Sequence, residues 1–284
     1  MPRCAWAWLF GFIAVLLVAV VGLDQWQARQ GEASLFTLPW AGRAAGGPEA
    51  RPRLRSPRPP ADLSGPRVAV IVDDLGGRRD VFDALRDVGR PLSVAVLPGL
   101  PLSRWMAAEA ARVGMEVLLD LPMEPYRFPE LDPGPGAATM AMTPAEIARL
   151  VGQHLAAFPT AAGVTNHMGS RLSEDGERMR AALEPLRGRR LFFVDAMTSN
   201  LSVGHEQARR LGLRVARRHL LIDHLDGEGG DRRRWEEVGR LAARRGEVVV
   251  IAHGHPLTAR LLREYIPRWE AQGVRLVPAS HLAR

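Results

Sequence analysis

The sequence predicts an α/β fold: a parallel (β/α) barrel of seven or eight strands, reached through an N-terminal membrane anchor and an unstructured linker. Three observations predict the barrel. Eight short apolar runs alternate with helical patterns over residues 67–284, and a parallel strand buried on both faces reads as such a run. Most of the runs end in carboxylates or imidazoles, and in an α/β barrel the carboxyl ends of the strands gather their loops around one pocket. The first run closes on Asp73-Asp74-Leu75-Gly76-Gly77. That places acids where an open dinucleotide-binding sheet needs glycine, and they would repel a pyrophosphate.

The strands expected are Val68 to Val72, Val94 to Leu97, Val117 to Leu119, Gly163 to Thr165, Leu191 to Val194, Leu220 to Ile222, Val248 to Ala252 and Val274 to Val277. Between them lie helices. Arg79 to Val88 puts Val81, Leu85 and Val88 on one face, and Leu102 to Val113 is alanine-rich. Thr143-Pro144-Ala145-Glu146 reads as a capping box with proline at the first helical position, opening a helix to about Phe158. Ser173 is the expected N-cap of a helix from Glu174 to Leu186. Ser202 to Leu211, Asp231 to Arg245 and Pro256 to Gln272 complete the series.

Ahead of the barrel, residues 1–23 read as a membrane segment. Arg3 and the α-amino group precede Ala5 to Leu23, which holds no charge and approaches the roughly 20 apolar residues a bilayer core requires. No small-x-small cleavage pattern stands before Asp24. A single-pass inner-membrane anchor with a periplasmic domain is the expectation, and a cleaved signal is the alternative. Residues 24–66, rich in Pro, Arg and Ala, read as a disordered linker. Residues 67–284 form the folded domain.

Composition narrows the chemistry. All 38 Lys+Arg residues are arginine, so Schiff-base catalysis and a Walker-type phosphate loop are excluded. Beyond Pro66 the arginines interleave with acids, which gives no clustered face for nucleic acid. Cys4, the only cysteine, precedes the anchor and is no nucleophile for the domain. Gly-x-Ser-x-Gly is absent. Strand-end carboxylates and imidazoles remain, and that donor set suits a divalent metal such as zinc and metal-assisted hydrolysis.

Side chains alternate along a strand, so one of Asp73 and Asp74 can bind metal while the other serves as a base. His167 lies in Asn166-His167-Met168-Gly169-Ser170 on an expected tight turn, with Asn166 and Ser170 placed to orient bound water or substrate hydroxyls. His253-Gly254-His255-Pro256 ends the most apolar strand, with one histidine expected in the site and the other at the helix cap. Asp195 is a natural partner for a catalytic histidine or arginine. Asp120 and Glu124 flank Leu121-Pro122-Met123, and Asp223-His224 is a further candidate pair.

At Val70 to Gly76, Leu119 to Pro125, Pro133 to Gly136, Asn166 to Arg171, Phe192 to Asp195 and His253 to Pro256, the chain resembles the divergent polysaccharide deacetylases, a branch of the NodB-homology carbohydrate deacetylases. The resemblance covers Arg67 to Leu282. It implies a distorted, NodB-like barrel, with Asp73 as base and Asp74 as metal ligand. His167 and Asp120 are the implied partners of Asp74, although the family usually has histidine where Asp120 stands. A histidine of the His253/His255 turn is implied either as a further imidazole ligand or as the acid. Glu124, Asn166, Ser170 and Arg171 are expected on the substrate side. The function so implied is removal of N-acetyl groups from an envelope glycan. A catalytically silent glycan-binding or scaffolding barrel is the alternative.

Overall fold

The computed structural model describes residues 65–223 and 227–284. The expected anchor, nearly all of the expected linker, and His224 lie outside the described residues. Among the described residues no helix is long and apolar enough to cross a membrane.

Among the described residues, nine strands form one parallel sheet: β1 (Arg67–Leu75), β2 (Ser93–Val96), β3 (Glu116–Met123), β4 (Gly163–Met168), β5 (Phe192–Asp195), β6 (Val215–Arg217), β7 (Leu220–Leu221), β8 (Glu247–His253) and β9 (Arg275–Leu276). Their order is β6-β5-β4-β3-β2-β1-β8-β7, with β9 on the start of β1. The sheet curls because its two ends belong to one extended run. β6 pairs with β5, β7 pairs with β8, and only Arg218 and His219 separate them. Arg218 N–H donates to the Asp195 carbonyl at 2.9 Å and His219 N–H to the Val249 carbonyl at 2.8 Å. Adjacent residues thus reach opposite neighbours, and the break closes the curl.

The eight expected strands are all present, and β6 is an addition. The helices are α1 (Arg79–Arg86), α2 (Ser103–Arg112), α3 (Pro144–Ala157), α4 (Gly176–Leu183), α5 (Gly204–Arg210), α6 (Gly227–Arg245) and α7 (Pro256–Ala271). Thr143 and Glu146 form the expected capping box on α3. The expected cap at Ser173 is corrected. Ser173 lies inside a short 3-10 turn, and Asp175 caps α4 by accepting the Arg178 N–H at 2.8 Å. An aspartate two residues further on competes well for that role, since a carboxylate also favours the positive end of the helix.

Alternation along the strands separates two buried layers. Val68, Val70 and Val72 of β1 pack outward against the helices, with Leu85, Ile147, Trp235 and Trp269 in the same layer. Ala69 and Ile71 point inward with Leu118, Val194, Ala216 and Ile251, and the C-terminal residues Val277 and Leu282 fill that interior from the end where β9 pairs. The next inward position of β1 is Asp73, and the next inward position of β3 after Leu118 is Asp120. The apolar interior therefore ends in acids at the carboxyl end of the sheet.

Candidate metal and catalytic site

β1 and β8 run in register, with Asp73 opposite His253. β3 and β4 place Asp120 opposite Thr165, two residues before His167. Four strand ends thus converge. The atoms of Asp74, Asp120 and His167 lie within 4.8 Å of one another, and so do those of Asp73, Asp74 and His253. Asp74 belongs to both groups. It has φ 57°, and Met168 at the end of β4 and Met197 just beyond β5 have φ 49° and 51°. Such residues cost about 1–3 kcal/mol each and persist where the surroundings impose them. At Asp74 the turn aims the carboxylate at His167 and the backbone N–H at Asp120 Oδ2, 3.1 Å away.

These residues fit a small divalent cation. Asp74 Oδ1 lies 2.6 Å from His167 Nδ1, yet it has no hydrogen-bond partner, and neither has Asp120 Oδ1. The Asp74–His167 contact is short without the direction of a hydrogen bond. Two carboxylate oxygens and an imidazole nitrogen instead converge on a common point. Buried polar atoms left unpaired in this way are the usual sign of an ion or water, and the donor set is one that zinc accepts.

Electrostatics sets the neighbours apart. Burial, then the charges of Asp74 and Asp120, raise the Asp73 carboxyl well above its ordinary range. Burial, opposed by His167, pushes Asp120 up to about 7. Asp74 goes the other way: burial would raise it, but contact with His167 and the charges of His167 and His253 hold it below the usual value. Burial works against a charged His167, and the carboxylates of Asp74 and Asp120 outweigh it. His253 is raised to about 10, first by its contact with Asp223. Its Nδ1 lies 2.9 Å from Asp223 Oδ1, leaving Nε2 3.8 Å from Asp74 Oδ2.

Asp73, Asp74, His167 and His253 line a cavity of about 550 Å³ with Asn166 and Arg218. Of the other expected site residues, His255, Asp195, Glu124, Ser170 and Arg171 do not line the cavity. His255 is exposed at the N-cap of α7, without a side-chain capping bond. Asp195 falls on the outward side of β5, two residues beyond Phe193 in the helix-facing layer. Its carboxylate accepts from the backbone N–H of Met197 and His205 and from Ser202 Oγ. It therefore holds the start of α5 and does not face the cavity. Glu124 accepts from Met140 N–H and pairs with Arg171 at 2.9 Å. Ser170 Oγ accepts the Tyr126 N–H. Asn166 lies at the cavity wall, but its amide is engaged by Ala196 N–H, the Met168 carbonyl and Thr198 Oγ1. Residues 124, 170 and 171 thus shape the loop rim. Arg218 and Thr198 were not expected.

A curled parallel α/β sheet with a carboxylate–imidazole cluster at its carboxyl end defines the class. Within that class the chain belongs to the divergent polysaccharide deacetylase family, whose model matches residues 70–283. It is similar to the uncharacterized protein YibQ of Escherichia coli K12, 31% identical over 216 residues, which span 76% of this chain and 67% of that protein. An uncharacterized protein of Haemophilus influenzae is 27% identical over 218 residues, 77% of each chain. In fold it is similar to the crystal structure of the uncharacterized protein ATU2773 from Agrobacterium tumefaciens C58. The TM-score is 0.73 at 23% identity, over 84% of this chain and 97% of that one.

Proposed function

We propose that this protein is a metal-dependent hydrolase that removes N-acetyl groups from an envelope polysaccharide, held at the inner membrane by residues 1–23 with its domain in the periplasm. The observation that carries the reading is the convergence of Asp74, Asp120 and His167 at the wall of a cavity that Asp73, Asp74, His167 and His253 line.

A divalent cation, zinc in this reading, held by Asp74, His167 and Asp120 would supply Lewis acidity to the acetyl carbonyl and the attacking water. The protein's own groups move the protons. Asp73, its carboxyl raised by burial, accepts a proton from the water whose oxygen attacks the acetyl carbon. His253, kept charged by Asp223, gives a proton to the amine as the C–N bond breaks. Acetate and a free amino sugar leave. A positioned acid or base of this kind contributes about 10²–10⁴-fold.

Acetate release from N-acetylated glycans by zinc-loaded protein tests the reading. Turnover by wild type and its loss in Asp73→Asn is the expected result. No acetate from any such glycan, with Asp73→Asn binding the same glycans as tightly as wild type, overturns it. The second reading is a silent glycan-binding barrel, and one observation favours it: Asp120 stands where the family usually has histidine, and the Asp74 N–H already occupies one of its oxygens. Metal content separates the two. Stoichiometric zinc lost in Asp74→Ala and His167→Ala supports the enzyme, and metal-free protein that binds glycan supports the module. Protease added to spheroplasts tests the location, and a protected domain would reverse it.

A further inference from the structure

We propose that Arg218 makes the cavity selective for acidic sugars, its guanidinium receiving a carboxylate carried near the N-acetyl group. The inference rests on the glycan-deacetylase reading above and names the substrate class of that site.

Arg218 stands in the two-residue break between β6 and β7. Ala216 packs in the inward layer, so two residues on Arg218 also faces inward, into the cavity lined by Asp73, Asp74 and His253. Its Nη2 donates to the Met197 carbonyl at 2.7 Å. That bond fixes the side chain and leaves most of the guanidinium's donors free for the cavity. Among the described residues no carboxylate is within pairing distance of it. The two whose charges it feels are Asp73 and Asp195, and Asp195 is saturated by Met197, Ser202 and His205.

A guanidinium placed only to balance the acids would pair with one of them. Arg218 is instead half-buried and paired with a neutral carbonyl. Burial works against its charge, yet arginine does not give up its proton. Its planar fork matches a carboxylate in two-point contact. The cavity is thus bipolar, with acids on the β1 side and the Arg218 guanidinium on the β6–β7 side. An N-acetyl group directed to the acids leaves the far side of the sugar against Arg218. A neutral sugar would leave that cation desolvated and unpaired, and a uronic acid or carboxyl-bearing amino sugar would satisfy it.

Calorimetry on the full-length, detergent-solubilised, zinc-loaded protein tests this. The probes are a hyaluronan tetrasaccharide, its methyl ester and chitotetraose. Wild type is expected to bind the acid about 10-fold or more tightly than the ester, the scale of a charge-assisted hydrogen-bond pair. Arg218→Gln should remove that difference, and Arg218→Lys should keep part of it. Melting temperature and zinc stoichiometry show that each variant is folded. Equal affinity of wild type for acid and ester, or an Arg218→Gln variant that weakens both by the same factor, overturns the role of Arg218 while leaving the deacetylase reading standing. Failure of all three glycans to bind overturns the role of Arg218 and leaves the deacetylase reading to the acetate-release test.

Discussion

His253 Nδ1 and Asp223 Oδ1 lie 2.9 Å apart, and the Asp223 carboxylate also accepts the His253 backbone N–H at 2.9 Å. Asp223 follows β7 and His253 ends β8, so the partner comes from the neighbouring strand. The double contact fixes the imidazole in rotation as well as position, and turns Nε2 toward Asp74.

Replacing Asp223 by Asn should leave the backbone contact and remove the charge. The His253 imidazolium, raised to about 10 first by Asp223, then becomes more acidic. A general acid must be protonated to act, so activity should be lost at lower pH on the alkaline side. Loss on the order of 10²-fold is expected for an acid released from its partner. Carbon–nitrogen NMR of the labelled ring, with and without zinc, checks the shift directly. An unmoved titration would remove Asp223 from the mechanism.

Asp120 predicts a conflict between stability and metal binding. Its carboxyl is raised from 3.8 to about 7, chiefly by burial, so ionisation penalises the metal-free fold. The penalty is fully present above pH 7 and disappears as pH falls toward 3.8. Asp120→Asn keeps an acceptor for the Asp74 N–H and should stabilise chelated protein at pH 8 by on the order of 2 kcal/mol. Near pH 4 the gain should vanish. In zinc the order should reverse, because an amide is a poorer ligand than a carboxylate. Urea unfolding in chelator and in zinc measures both arms, and an equal zinc-induced shift in the two proteins would exclude Asp120 as a ligand.

The acids and histidines at the ends of β1, β3, β4 and β8 were legible because each directly follows an apolar run long enough to read as a strand. β6 was not. Val215-Ala216-Arg217 is three residues long, and its pairing depends on β5, some twenty residues earlier, so no local pattern announces it. Arg218 was hidden with it. Asp195 misled for a different reason. In a strand buried on both faces the alternation does not say which side is inward, so an aspartate at the strand end reads the same whether it faces the cavity or the helices.

Asp195→Ala should therefore act on folding. It would strand the N–H groups of Met197 and His205 and the hydroxyl of Ser202, a loss of about 2–4 kcal/mol. Zinc affinity, measured well below the melting temperature, should change by no more than a few-fold. A variant of normal stability with lost metal or lost turnover would return Asp195 to the chemistry.

Gly254 offers the sharpest test of how the site is held. A Cβ there would stand 2.5 Å from Leu75 Cδ2 and 3.0 Å from the Asp73 carbonyl oxygen, which accepts the Gly254 N–H at 3.0 Å. Leu75 is buried and has little room to move, so the added methyl must separate the ends of β1 and β8. Gly254→Ala should cost about 1–3 kcal/mol, the scale of overpacking. It should also move His253 away from Asp73 and Asp74, and a displacement near 1 Å is enough to cost about 10²-fold in rate. Gly152→Ala in α3 is the control. Nothing lies within 4 Å of its Cβ position, and alanine there should stabilise the helix by up to about 1 kcal/mol. If Gly254→Ala melts like wild type and deacetylates at the wild-type rate, the close approach of β1 and β8 is not what positions His253.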